Sequence, residues 1–189
     1  MLLGMKDDAA VARLLDPELL LKKQLGVQLG HQVADLGCGG AGYFTLPAAR
    51  LVGSRGKVYA IDILKSSLEG VVSKAKLDNL LNVEAVWSDL ERVGAAKVPE
   101  STLDEALLIN IMFQSRQNEA MLREAHRLLK SGGRLLVVDW KVEPTPFGPS
   151  LDRRLTPEFI SQLAVSIGFT LEHKFDSGPY HYGLIFLKT

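Results

Sequence analysis

The chain has 189 residues, 47% of them hydrophobic and 23% charged, a length and composition that suit one domain with a self-sufficient core. Its 22 basic residues balance its 22 acidic ones, which argues against a broad, non-specific grip on nucleic acid, since that runs on excess Lys and Arg. The single cysteine, Cys38, excludes an intramolecular disulfide.

The first residues, Met1-Leu2-Leu3-Gly4-Met5-Lys6-Asp7-Asp8, turn acidic before a long apolar stretch develops, so they do not read as a signal peptide. Asp16-Pro17-Glu18 has the order of an N-cap, a first-position proline and a first-turn acid, which predicts a helix stopped at Gly26. Gln32 to Leu36 reads as a buried strand feeding a glycine-rich turn, and Tyr43 to Leu51 as the helix after it. The alternation continues with a strand at Lys57 to Asp62, a helix at Ser66 to Leu77, and strands at Val83 to Trp87 and Leu103 to Ile109. Ala106 to Phe113 is the longest apolar-looking run; Asn110 interrupts it and it is far too short to span a bilayer, so a cytoplasmic protein without a membrane span is expected. Asn118 to Leu129 is an amphipathic helix stopped at Lys130-Ser131-Gly132-Gly133, and Arg134 to Asp139 is a strand buried on both faces. A loop with Pro144, Pro146 and Pro149 follows, long enough for a lid, then a helix from Thr156-Pro157-Glu158. Phe169 to Phe175 and His181 to Lys188 flank a turn and predict a terminal antiparallel hairpin.

These elements predict five βα-like units and a hairpin: an α/β, doubly wound, mostly parallel sheet in one domain over 1–189. Residues 1–30 form an N-terminal helical segment, 31–140 the ligand-binding core, and 141–189 the lid loop, helix and hairpin. Ligands on such sheets bind at the carboxyl ends of the strands. Asp35, Asp62, Asp89, Asn110 and Asp139-Trp140 all fall at such ends, on one rim.

Gly37-Cys38-Gly39-Gly40-Ala41-Gly42 satisfies G-x-G-x-x-G, a weak signal by itself. Glycines admit positive φ and a close approach of ligand to backbone, and the helix start beyond them favours acceptor atoms. A carboxylate at Asp62 can accept from both hydroxyls of a ribose, and Asp89 can accept from an adenine amino group. Singly, Asp62 reads equally as a helix cap and Asp89 as a turn residue. Together, at the ends of three successive strands, they read as a nucleoside site.

Val33-Ala34-Asp35-Leu36-Gly37-Cys38-Gly39 resembles motif I of class I methyltransferases that use S-adenosylmethionine. The nearest members are the small single-domain enzymes similar to ubiquinone/menaquinone-biosynthesis methyltransferases. The resemblance covers about Gly26 to Asp139 and implies a Rossmann-like methyltransferase fold whose reversed last strand agrees with the terminal hairpin. It implies that Asp35 and the loop of Gly37, Cys38, Gly39, Gly40 and Gly42 hold the methionine end of the cofactor. Asp62 then holds the ribose, Ile63 packs on adenine, and Asp89 with the Leu90 backbone reads the adenine edge. Ser88 belongs to the same site, and Asn110 lines the pocket near the reactive methyl. The family pattern D-x-G-x-G-x-G would put its third glycine at Ala41, so this loop reads as one residue longer, and which later glycine approaches the cofactor is open.

The alternatives are an NAD(P)-binding oxidoreductase and a non-catalytic nucleoside-binding or interaction module. Against the first, Asp35 would face a pyrophosphate, a like-charge contact, whereas S-adenosylmethionine offers it a positive amino group. Within methyltransferases, a small-molecule acceptor is expected ahead of RNA or protein. No catalytic residue is obvious; the candidates are Asn110, Asp139 and Trp140, the last as a pocket cap or a packing residue. Asn110-Ile111-Met112-Phe113 keeps the outer residues of the N-P-P-F/Y motif of amino-group methyltransferases without its prolines. Phe113, Trp140, Phe147, Tyr180 and Tyr182 suit an apolar acceptor pocket. The four histidines, His31, His126, His173 and His181, show no metal-ligand spacing, so no metal is expected. His126, Lys74 and the Arg153-Arg154 pair read as solvated.

Overall fold

The structure is a computed structural model and describes residues 14–189; the readings made on residues 1–13 lie outside it. Seven strands form one sheet in the order β3-β2-β1-β4-β5-β7-β6. They are β1 (Gln32–Leu36), β2 (Lys57–Asp62), β3 (Val83–Trp87), β4 (Leu103–Ile109), β5 (Leu129–Trp140), β6 (Phe169–Asp176) and β7 (His181–Lys188). The first five pair in parallel, and β7 runs antiparallel to both β5 and β6.

Helices cover both faces, which is why the central strands are continuously apolar. Along β5, Leu135 and Val137 pack into a layer with Leu122, Ala125 and Leu128 of α4 (Asn118–Leu128) and Ile160 and Ala164 of α5 (Pro157–Ile167). Leu136 and Val138 alternate with them and pack on the other side against Leu20, Leu21 and Leu25 of α1 (Leu19–Leu25) and Ala48 and Val52 of α2 (Thr45–Val52). Ala60 meets Leu68 and Val71 of α3 (Lys65–Leu77). Each of these contacts comes from the period of its element: two in the strands, near 3.6 in the helices.

The helix boundaries follow local chemistry. Asp16 Oδ1 accepts the Glu18 and Leu19 N–H groups at 3.0 and 3.2 Å, and Gly26 ends α1 in the left-handed region at φ 84°. The α1 turns have π spacing. Thr156 caps α5 by accepting the Phe159 N–H at 3.1 Å, with Pro157 in the first turn.

Two expectations differ. The connection from β3 to β4 carries no helix; residues 88–102 cross as turns. Leu90, Ala96 and Val98 of that segment enter the core. Glu124 of α4, fully buried, accepts the Gly94 and Ala96 N–H groups and is paired with Arg127, so a side chain does the hydrogen-bonding work a helix would have done. Second, Lys130-Ser131-Gly132-Gly133 is not a free helix stop. Strand β5 already begins at Leu129, which is buried and pairs with Leu103 across a register shift. Among the described residues no helix is long and apolar enough to cross a membrane.

Candidate functional site

Asp35 on β1, Asp62 at the end of β2, Ser88 and Asp89 past β3, Asn110 past β4, and Asp139 and Trp140 on β5 lie at the carboxyl ends of the parallel strands. The glycine loop sits among them. Gly37, Gly39 and Gly42 all have positive φ (81°, 61° and 64°). A Cβ on Gly37 would come within 2.8 Å of Ile111, and one on Gly42 within 3.1 Å of Leu46. Gly40 lies against the Ser67 backbone, and a Cβ on Gly70 of α3 would meet the Gly40 carbonyl at 2.9 Å. Gly39 alone of the four has nothing within 4 Å of where a Cβ would stand. So Gly39 faces open space, while Gly40 and Gly42 serve contacts inside the protein. The extra residue is taken up against α3. Lys74 of that helix donates to the Gly40 and Ala41 carbonyls at 2.8 and 3.1 Å; it is not the purely solvated charge its sequence neighbourhood suggests.

The carboxylates around this loop differ in state. Asp35 is 3% exposed and accepts from the Thr45 hydroxyl at 2.6 Å. Burial pushes its pKa up to about 6, with Thr45 opposing and Asp62 adding. Among the described residues it has no ion-pair partner. Asp62 accepts the Gly39 N–H at 3.0 Å and the Leu64 N–H at 2.8 Å, so it both fixes the loop and caps the entry to α3. Each of its oxygens keeps a lone pair for a further donor. Burial and the two carboxylates hold the half-buried Cys38 thiol well above its usual range, so it is neutral.

Ile63 is exposed, and the indole N–H of Trp87 donates to its carbonyl at 2.8 Å. Trp87, more than half exposed at the end of an edge strand, extends this apolar shelf. Ser88 is buried and its hydroxyl oxygen has no hydrogen-bond partner among the described residues. Asp89 accepts the Glu91 N–H at 3.0 Å and lies 3.4 Å from Arg92. Leu90 is buried beside it.

Across the rim, Asn110 follows β4 at φ 54°, a left-handed conformation Asn tolerates better than most residues. Its side-chain Oδ1 is buried without a partner among the described residues. The turn Met112–Gln114 comes next. Asp139 has no exposed surface; it accepts the Phe113 and Trp140 N–H groups at 3.3 and 2.8 Å, and burial pushes its pKa up to about 7. Trp140 is 1% exposed, packed on His181 with ring centroids 4.3 Å apart and planes tilted by 43°, and roofed by Gly148 and Arg154. It packs, and its ring does not cap an open pocket. Tyr182 is likewise buried, its hydroxyl donating to Leu155. Phe147 is exposed, edge-on to Tyr180.

A family model described as a methyltransferase domain matches residues 29–163. The chain belongs to that family. It is 39% identical over 118 residues to a ubiquinone/menaquinone biosynthesis C-methyltransferase of Pasteurella multocida, a match covering 61% of this chain and 42% of that one. The corresponding enzyme of Escherichia fergusonii is 39% identical over 128 residues, covering 63% and 47%. The chain thus spans less than half the length of these curated relatives. Among solved structures, a SAM-dependent methyltransferase from Aquifex aeolicus superposes with a TM-score of 0.86 at 26% identity, covering 97% of this chain and 95% of that one. The fold and cofactor class are those of the S-adenosylmethionine-dependent methyltransferases.

Two residues of this methyltransferase domain read as solvated in the sequence, Arg154 and His126, are not, and the burial of a third, His181, went unread. Arg154 is buried and saturated, not solvated: its guanidinium donates to the carbonyls of Lys141, Glu143, Phe147 and Pro149 and to the Thr145 hydroxyl. His126 packs edge-on against Phe169, and burial with nearby Lys188 lowers its pKa. His181 is fully buried against Trp140, and burial with Arg154 and Lys141 lowers its pKa to about 4. Periodicity could have placed His181 inside, since Leu184 and Phe186 alternate with His181, Gly183 and Ile185 along a strand buried on both faces. Nothing local marks Arg154, whose partners come from its own loop.

Proposed function

We propose that the protein transfers a methyl group from S-adenosylmethionine to a small, partly apolar acceptor, with carbon as the methylated atom. The observation that carries this is the buried Asp35 carboxylate without a cation, at the strand end that leads into the loop where Gly39 faces open space. A carboxylate in that state gains from a positively charged amino group and repels a pyrophosphate. The partnerless Ser88 Oγ and Asn110 Oδ1 at the same rim are further atoms awaiting a ligand. Carbon as the methylated atom, and a small acceptor, are supported by the names of the curated relatives.

When bound, S-adenosylmethionine supplies a methyl group on a sulfonium, already a good leaving group. This chain would supply position. Asp35 and the Gly37–Gly39 backbone would hold the methionine end, Asp62 the ribose, and Ile63, Ser88, Asp89 and Leu90 the adenine. Asn110, rigid at the end of β4, would stand nearest the reacting methyl. Aligning the acceptor for an in-line displacement can lower the barrier by roughly 7–11 kcal/mol. Asp139, with no exposed surface, acts by holding Phe113 and not as a base in contact with the acceptor.

Calorimetry with S-adenosylmethionine, S-adenosylhomocysteine and NAD tests the cofactor. Methyl transfer from labelled S-adenosylmethionine to hydroxylated aromatic acceptors tests the reaction. NAD binding without S-adenosylhomocysteine binding would overturn the reading; methylation of bulk RNA alone would overturn its acceptor.

A further inference from the structure

We propose that Arg153 selects the acceptor, and that the acceptor carries an anionic group, a carboxylate or a phosphate, held at the edge of Phe113. This rests on the methyl-transfer reading above.

The turn after β4 makes a continuous path away from the glycine loop. Ile111 fills the space that a side chain on Gly37 would take. Phe113 follows two residues later, and its N–H is held by Asp139 on β5, so the ring is mounted on two strand ends and not on a free loop. Arg153 lies over that ring, its guanidinium carbon 5.6 Å from the centroid. One N–H reaches the Phe113 carbonyl at 3.5 Å, the limit of a hydrogen bond.

The rest of the guanidinium is uncommitted. Among the described residues Arg153 makes no ion pair and no other side-chain hydrogen bond. Asp152, next in the chain, feels its charge but does not pair with it. The contrast with its neighbours is sharp: Arg154 has all its N–H groups occupied, and Lys141 is paired with Asp176. With one N–H turned to the Phe113 carbonyl, the remaining N–H groups are free, and the planar edge of a guanidinium matches a carboxylate or phosphate in two parallel hydrogen bonds. The rim therefore runs from cofactor loop, over the apolar Ile111 and Phe113, to an exposed cation with free N–H groups. A molecule that fits it has an apolar body and an anionic end.

The competing role is that Arg153 only braces its loop against Phe113. To separate them, the full chain is saturated with S-adenosylhomocysteine and titrated with 1-hydroxy-2-naphthoate and with its uncharged methyl ester. The acid should bind at least about tenfold tighter than the ester. Arg153→Ala should bring the acid to the level of the ester without changing the ester or S-adenosylhomocysteine, and Arg153→Lys should keep part of the preference. Equal binding of acid and ester overturns the proposal, as does binding of neither at millimolar concentration. A preference that survives in Arg153→Ala also overturns it and leaves the bracing role. Failure of S-adenosylhomocysteine to bind the native chain would instead sink the methyl-transfer reading itself.

Discussion

Replacing Arg154 by alanine should loosen the whole segment between β5 and α5. The side chain is 8% exposed and directs five donor N–H groups at five oxygens between 2.7 and 3.1 Å. Its guanidinium also lies 5.3 Å from the Trp140 ring. A hydrogen bond to a charged group contributes about 1.5–3 kcal/mol, but such values do not add within one network. Four of the acceptors are backbone oxygens and the fifth is the Thr145 hydroxyl, all of one loop, and they regain water when it opens. The expected loss is therefore about 3 kcal/mol, the range for breaking a buried polar network. At about 2–4 °C per kcal/mol for a chain this long, the Tm should fall by roughly 6–12 °C. Arg154→Lys offers one point charge for five separated oxygens and should recover less than half of the loss. Calorimetric unfolding and limited proteolysis across residues 141–150 read the two effects. A stability change below about 1 kcal/mol, with no new cleavage, would refute the view that this arginine organises the loop.

Further outcomes follow from the same contacts. Asp62→Ala should weaken S-adenosylhomocysteine binding roughly tenfold to a hundredfold by calorimetry; unchanged affinity would leave Asp62 only its contacts with Gly39 and Leu64. Gly148→Ala should cost about 1–3 kcal/mol in denaturant unfolding, because its φ is 87° and its Cβ would stand 2.7 Å from the Trp140 ring. Glu105 lies 2.7 Å from His31, and burial, helped by Asp104 and opposed by Lys130 and Arg134, pushes its pKa up to about 8. Its folded pKa exceeds the unfolded value, so its stabilisation is complete at low pH and is lost as pH rises through about 8. Glu105→Gln should become steadily more stable relative to the native chain between pH 5 and 8, by up to about 1.4 kcal/mol per pH unit. Parallel stability curves would exclude this.

The sheet was legible because its signals are local. Short apolar or β-rich runs bounded by turn residues fix β1 to β4 to the residue, and Thr156-Pro157 announces α5 before any packing is considered. The rim was legible for the same reason, since Asp35, Asp62 and Asn110 end strands that periodicity delimits. What could not be read depends on contacts between distant residues. The segment from 88 to 102 looks like a gap until Glu124, far along the chain, supplies its hydrogen bonds. The roles of the crowded glycines are set by Ser67, Gly70 and Val71 of α3, beyond β2, so no loop pattern alone distinguishes Gly39 from Gly40. Trp140 sits where a pocket residue would, and is buried only because Gly148 and Arg154 close over it.

The backbone contact between Gly40 and Gly70, tied further by Lys74, makes the ligand loop and α3 a single mechanical part. A side chain at Gly70 would wedge the two apart from a position inside a helix, thirty residues beyond Gly40. Grafting Asp35 to Gly42 into another strand–turn–helix scaffold would accordingly fail to reproduce the loop's shape unless the small residue and the lysine of the following helix travelled with it. The transplantable unit is βαβα, and its far end reaches as deep into the chain as Lys74.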